Sequence, residues 1–197
     1  MDMTTQRLAR LDEMIDRHEI EAAIRRISRG IDRFDRDLFL SGYHPDAIID
    51  AGSMVGEPAR VYEAGRALHE IGQDATLHHL TNHTCELDGD SAHAETYFIY
   101  VGHNRDGTNW AGGGRYVDRL ERRGGAWRVA FRQTLMEWSG EIAGNQVPLF
   151  TGVPDIAANG ASRRNREDPS YRRPFVNLRA PRYPDDPEAL SRPLDLT

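Results

Sequence analysis

Apolar residues recur at helical spacing from the start of the chain. Leu8, Leu11, Ile15, Ile20, Ala23, Ile24 and Ile27 form one stripe with charged residues between them, which predicts a helix over residues 5–31. Gly30 weakens that helix near its end. A short second helix is expected over Asp35 to Ser41, stopping at Gly42 ahead of Pro45. Ala47 to Asp50 reads as a short strand, followed by a turn through Gly52 and Gly56. A third helix is expected over residues 58–71, with Pro58 in its first turn and Gly72 at its end.

The period then changes. Thr76 to Leu87 is strand-like, and Asp88-Gly89 signals a hairpin into the β-rich run Ala92 to Val101. Asn104 to Gly107 is a further turn. Trp110 to Arg122 and Ala126 to Trp138 are two more strands around Gly124-Gly125. Helices first and a long antiparallel meander after them predict an α+β fold, with N-terminal helices packed on one side of a curved antiparallel sheet. Residues 1–138 form the expected domain. Residues 139–197 hold most of the prolines, many arginines and little periodicity. Phe150, Ile156, Tyr171, Phe175 and Tyr183 favour an extended arm, lying on the domain or on a neighbouring subunit, over a disordered tail.

Composition narrows the chemistry. The 197 residues suffice for one domain with an arm, and 39% are apolar against 28% charged. No run approaches a membrane span, and the polar N-terminus predicts no signal peptide, so a cytoplasmic location is expected. The net charge of −6 argues against a nucleic-acid partner. All 25 basic residues are arginine, which removes lysine from Schiff-base chemistry and from a Walker-type phosphate loop. Cys85 stands alone, so cysteine frameworks are excluded, and it reads as a small core residue. The sequon at Asn82 carries little weight in a chain without an export signal.

The candidate chemistry centres on Asp32 and His78. A carboxylate that meets an imidazole in an apolar cavity makes a general base without metal or cofactor. His79 is the registry competitor and points to the opposite face of the same strand. Asp35 and Asp37 read as solvated helix-end residues. A metal site is not expected: by strand alternation His79 and His83 share a face that His78 does not, and no carboxylate completes a set. Gly112-Gly113-Gly114 lies in a meander, so it reads as a turn or bulge, not a dinucleotide loop.

The pattern resembles the SnoaL-like branch of the nuclear transport factor 2-like superfamily. His78 and Asn82 before Gly89-Asp90 match its His-x-x-x-Asn pattern, and Gly113 to Arg123 followed by Trp127-Arg128-Val129 match its last hairpin. The resemblance covers about residues 8–138 and implies a cone-shaped α+β barrel whose mouth is closed by the first helices. In its dehydratase and dehydrochlorinase members, scytalone dehydratase and hexachlorocyclohexane dehydrochlorinase, an Asp at the end of the first helix pairs with a His on the sheet. Asp32 and His78 fall on those positions, and Arg132 falls on an Arg of the last strand. The resemblance therefore implies His78 as base, Asp32 as its orienting partner, and Arg132 with Tyr43 as donors to developing negative charge. Tyr97, Tyr100 and Trp110 are expected as cavity walls, and Asp50 as a second acid.

The implied activity is a cofactor-independent lyase acting on a small hydrophobic cyclic or aromatic substrate. Dehydratase-type elimination, retro-aldol deformylation and enolate isomerisation all suit the same pair. The alternatives are a non-catalytic ligand-binding module and the structural small subunit of a ring-hydroxylating dioxygenase. A homo-oligomer is expected, a trimer ahead of a dimer.

Overall fold

The helical stripe and the alternating strands build the elements they predict, with longer strands. In this computed structural model, residues 2–142 and 157–179 are described. Helix α1 spans Met3–Asp32 and is capped by Asp2, whose side chain accepts the Thr5 N–H. Helix α2 is Arg36–Leu40, strands β1 and β2 are Tyr43–Asp50 and Val55–Gly56, and helix α3 is Pro58–Gly72. Strands β3 (Gln73–Asp88), β4 (Ser91–Asn104), β5 (Asn109–Arg123) and β6 (Ala126–Ile142) complete the sheet. A 3-10 turn, Pro169–Tyr171, follows in the arm.

The sheet runs β2-β1-β6-β5-β4-β3. It is an open mixed sheet, not a closed antiparallel barrel: β1 pairs with β6 in parallel, and every other pair is antiparallel. Pro45 lies in the stretch of β1 between Tyr43 and Ile48 where the register with β6 is broken, which is where a residue lacking an N–H is tolerated. Strand β6 also continues past Trp138, the expected edge of the domain.

Burial begins only in the second half of α1. Ile20, Ala23, Ile24 and Ile27 pack with Leu120, Trp127 and Val129 of the sheet. Leu8, Leu11 and Ile15, part of the same apolar stripe, are exposed. Ion pairing pins the middle of the helix: Asp16 accepts from Trp127 Nε1 at 2.8 Å and from Arg122 at 2.9 Å.

Two bulges decide which side chains face inward. In β3 the register advances from Leu80 to His83 while β4 moves only from Phe98 to Thr96, so one extra residue sits on β3. A bulge of this kind flips the alternation. His83 therefore joins His78 and Leu80 on the inner face, where its Nδ1 meets Thr96 Oγ1 at 2.8 Å, and does not share a face with His79. In β6 a second bulge at Ala130 places Arg132 on the inner face with Trp127 and Val129, away from the Arg128 side expected from simple alternation.

Candidate active site

Asp32 occupies the last turn of α1 because the chain turns sharply after it. Phe34 adopts φ 50°, a left-handed conformation for a residue other than glycine. The Asp35 N–H then returns to the Gly30 carbonyl at 2.8 Å. Asp35 caps α2 by accepting the Leu38 N–H at 3.1 Å. Gly30 is needed for this crossing, since a Cβ there would lie 2.5 Å from the Phe39 backbone nitrogen. The exit from α1 thus holds Asp32 against β3.

Strand β3 is an edge, so the N–H groups on its outer side are free of the ladder. Asp32 uses one of them. Its Oδ2 accepts the His78 backbone N–H at 2.9 Å, and its Oδ1 accepts from His78 Nδ1 at 2.7 Å. One carboxylate fixes both the strand and the ring. With Nδ1 donating to Asp32, the imidazole keeps its lone pair on Nε2, the form in which it accepts a proton. Both side chains are largely buried, at 12% and 11% exposure.

An inner row of aromatics flanks the pair. The Tyr100 ring lies 4.8 Å from that of His78, and Trp110 stands edge-on to Tyr100 at 5.5 Å. The Tyr100 hydroxyl donates to Gln73 Oε1 at 2.6 Å, which also accepts from His69 Nδ1 at 2.7 Å. Burial pushes the Tyr100 hydroxyl up to about 12, so it stays a donor. Burial also lowers the His69 pKa, favouring its neutral form. Behind this row, Phe98 stacks on Tyr116 at 4.3 Å.

Arg132 and Tyr43 come together, but in the core. Arg132 Nε and Nη2 each donate to Asp118 at 2.7 Å in a buried bidentate pair. The guanidinium lies 4.2 Å from the Tyr116 ring centroid and 5.8 Å from that of Tyr43. Burial opposes the charge of Arg132, yet the Asp118 carboxylate outweighs it and the pKa rises above its ordinary value. Tyr43 is not at a pocket mouth: it packs 5.2 Å from Phe39, and burial raises its hydroxyl to about 12.

Tyr97 and Asp50 lie elsewhere. Strand alternation that turns Thr96, Phe98 and Tyr100 inward turns Tyr97 outward, where it is 40% exposed under Arg115. Tyr97 and Tyr100 cannot both line one face at odd spacing. The Asp50 carboxylate accepts the Gly52 N–H at 3.0 Å and serves the turn after β1.

The open space beside the pair is polar. A cleft of about 420 Å³ between α1 and β3 is lined by Arg25, Ser28, Arg29 and Arg33 together with Asp32 and His78. A second cleft of about 570 Å³ adjoins Phe34, Gln73, Leu77 and Arg164. Among the described residues no group of three or more His, Cys, Asp or Glu side chains could hold a metal ion.

The arm reaches this mouth. Arg164 Nη1 donates to the His69 carbonyl at 3.1 Å and the Gln73 carbonyl at 2.6 Å. Asp35 accepts from Arg166 at 3.1 Å and from the Tyr171 hydroxyl at 2.9 Å. Phe175 is exposed, while Phe150, Ile156 and Tyr183 lie outside the described residues. Sequence reading missed Tyr116, Asp118, His69, Gln73 and Arg164. Alternation from Leu120 back to Asp118 and Tyr116 carried a signal for the first two; nothing periodic marked Arg164.

The SnoaL-like domain family matches residues 12–133. The solved structure of hexachlorocyclohexane dehydrochlorinase LinA type 2 superposes with a TM-score of 0.65 at 19% identity, over 71% of this chain and 98% of that one. LinA type 3 from Novosphingobium barchaimii LL02 gives 0.64 at 20% identity, over 70% and 98%. A protein provisionally named a scytalone dehydratase, from Novosphingobium aromaticivorans DSM 12444, gives 0.59 at 13% identity, over 71% and 95%. No curated protein sequence matches the chain. At these identities the structures share the fold.

Proposed function

The chain belongs to the SnoaL-like domain family, and from that membership we propose that it is a cofactor-independent lyase acting on a cyclic, largely apolar substrate. The observation that carries this reading is the two-point hold of Asp32 on His78. Here the strand amide and the ring nitrogen are fixed by one carboxylate, which sets both ring orientation and tautomer beside an open cleft.

In an elimination, His78 Nε2 takes a proton from carbon, the C–H electron pair forms the new double bond, and the C–O bond breaks toward the leaving hydroxyl. The imidazolium returns its proton to that oxygen and water departs. Asp32 stabilises the imidazolium in between. In the retro-aldol variant the same nitrogen takes a hydroxyl proton, the O–H pair forms the aldehyde C=O as the carbon–carbon bond breaks, and the imidazolium returns its proton to the carbanion left behind as the small aldehyde leaves. Tyr100 and Trp110 form the wall against which a ring would stack. Arg132 and Tyr43 support the floor of the site in this reading, because the Arg132 fork is engaged by Asp118.

The chain is proposed to work as a homo-oligomer, a trimer ahead of a dimer. Leu77, Ile99, Met136 and Trp138, all exposed, support this. The test of function is a screen of hydroxylated cyclic compounds with no added cofactor, read as loss of water or release of formaldehyde. Conversion of at least one compound is expected. Tight binding throughout the screen without conversion would instead make the chain a ligand-binding module.

A further inference from the structure

We propose that Arg164 is the recognition residue of this site and that it takes the carboxylate of an otherwise apolar, cyclic substrate. The proposal rests on the reading of the Asp32–His78 cleft as an active site. Arg164 is held firmly. Its Nη1 donates to two backbone carbonyls, those of His69 and Gln73, and its guanidinium carbon sits 3.9 Å from the Phe34 ring centroid. The opposite edge is different. Nε and Nη2 are both buried and have no hydrogen-bond partner among the described residues.

Buried donors on a charged group are costly to leave unmade. Two of them on one cation point to an acceptor that completes the site. Nε–H and Nη2–H project in parallel from the same edge of the planar guanidinium, which is the geometry that matches the two oxygens of a carboxylate. A single carbonyl can take both, as that of Glu70 does for Arg105, but a carboxylate gives each donor its own charged acceptor.

Position ties Arg164, through its anchored Nη1 side, to the reacting groups. Gln73, whose carbonyl accepts from Arg164, also accepts the Tyr100 hydroxyl, and Tyr100 lies against His78. Asp32 and Tyr100 are near enough to act on the charge of Arg164. The hydrogen bonds of the Asp32 carboxylate go to His78, and neither Nε nor Nη2 of Arg164 reaches it, so Asp32 is not the missing acceptor.

Charge favours the same ligand. The chain carries a net charge of −6, yet Arg25, Arg29 and Arg33 line one cleft, and Arg105 and Arg163 join Arg164 at the other. A cleft enriched in one sign concentrates the opposite one. Nε and Nη2 are covered in this structure and Arg164 borders the second cleft, so the acceptor enters from that cleft by a local shift of its lining while the Nη1 bonds to His69 and Gln73 hold. Arg33 faces Asp168 at 3.9 Å and Arg29 donates to Ser170 at 3.1 Å, contacts that keep the segment seated.

The experiment uses the full chain and two matched probe pairs, phenylacetate against phenylacetamide and 1-naphthoate against 1-naphthamide, titrated at fixed ionic strength by ligand-observed NMR. The wild-type protein is expected to bind each acid about tenfold more tightly than its amide. Arg164→Gln should bring that ratio to about one. Arg164→Lys keeps the charge without the fork and should recover only part of it. Absence of acid preference in the wild-type protein, its persistence in Arg164→Gln, or its full retention in Arg164→Lys overturns the proposal. The His78→Ala protein separates the two readings. Acid preference that follows Arg164 while His78→Ala still turns over would leave recognition standing and remove the lyase mechanism. Loss of turnover in His78→Ala without any acid preference would do the reverse.

Discussion

At the scale of single residues, two buried carboxylates do different work. Asp32 faces a histidine at the edge of the sheet, and Asp118 faces an arginine in the core. The first pair adjoins an open cleft, as the proposed proton transfer requires. The second is sealed, with exposures of 4% and 0%, and is arranged for structure. Removing one partner of such a sealed pair leaves a buried charge uncompensated. Asp118→Ala should therefore lower unfolding stability by about 3–5 kcal/mol, measured by denaturant titration. A loss under about 1 kcal/mol would show that water reaches Arg132. Asp32 and His78 were legible in the sequence because one ends a helical stripe and the other opens a motif with Asn82. Tyr97 was misplaced because adjacent aromatics look alike until strand parity separates them.

At the scale of elements, strand and helix order followed from hydrophobic period and turn chemistry, and the finer placement did not. The bulges near Asn82 and Ala130 each reverse an alternation, and no local residue type announces them. They moved His83 and Arg132 to the inner face. The parallel pairing of β1 with β6 was hidden too, since a strand interrupted by Pro45 carries a weak signal. Gly30 is the element-level hinge of the site. It permits the approach of α2 that turns the chain after Asp32. Gly30→Ala would force α2 outward, which should cost about 1–3 kcal/mol and lower turnover with it. Thermal melting and an activity assay on the same preparation check this. Unchanged melting would mean that α2 yields freely and does not position Asp32.

At the scale of the whole molecule, buried histidines set the response to acid. Burial lowers the pKa of His44, His69 and His83. An unfolded chain regains the ordinary value near 6.5, so it binds more protons than the folded one just below that pH. Stability conferred by these groups is complete above about pH 6.5 and is lost as pH falls through their lower folded values. The melting temperature should decline between about pH 7 and pH 5, and the decline should shrink in His44→Gln. A melting temperature that rises over that interval would contradict the burial of these rings. The same scale shows why the arm was expected from its aromatics while its polar contacts were not. Its contacts run through arginines and carboxylates that resemble a solvated tail in the linear chain, and only the fold brings Arg164 to the last turn of α3 and Arg166 and Tyr171 to Asp35 at the start of α2.

The most direct measurement of the central claim is turnover by a folded His78→Ala protein, with a substrate found in the cofactor-free screen. A wild-type melting profile is expected, with a loss of kcat/KM of at least about a hundredfold. Turnover within a factor of about two of the wild type, from a protein that melts normally, would show that His78 is not the base.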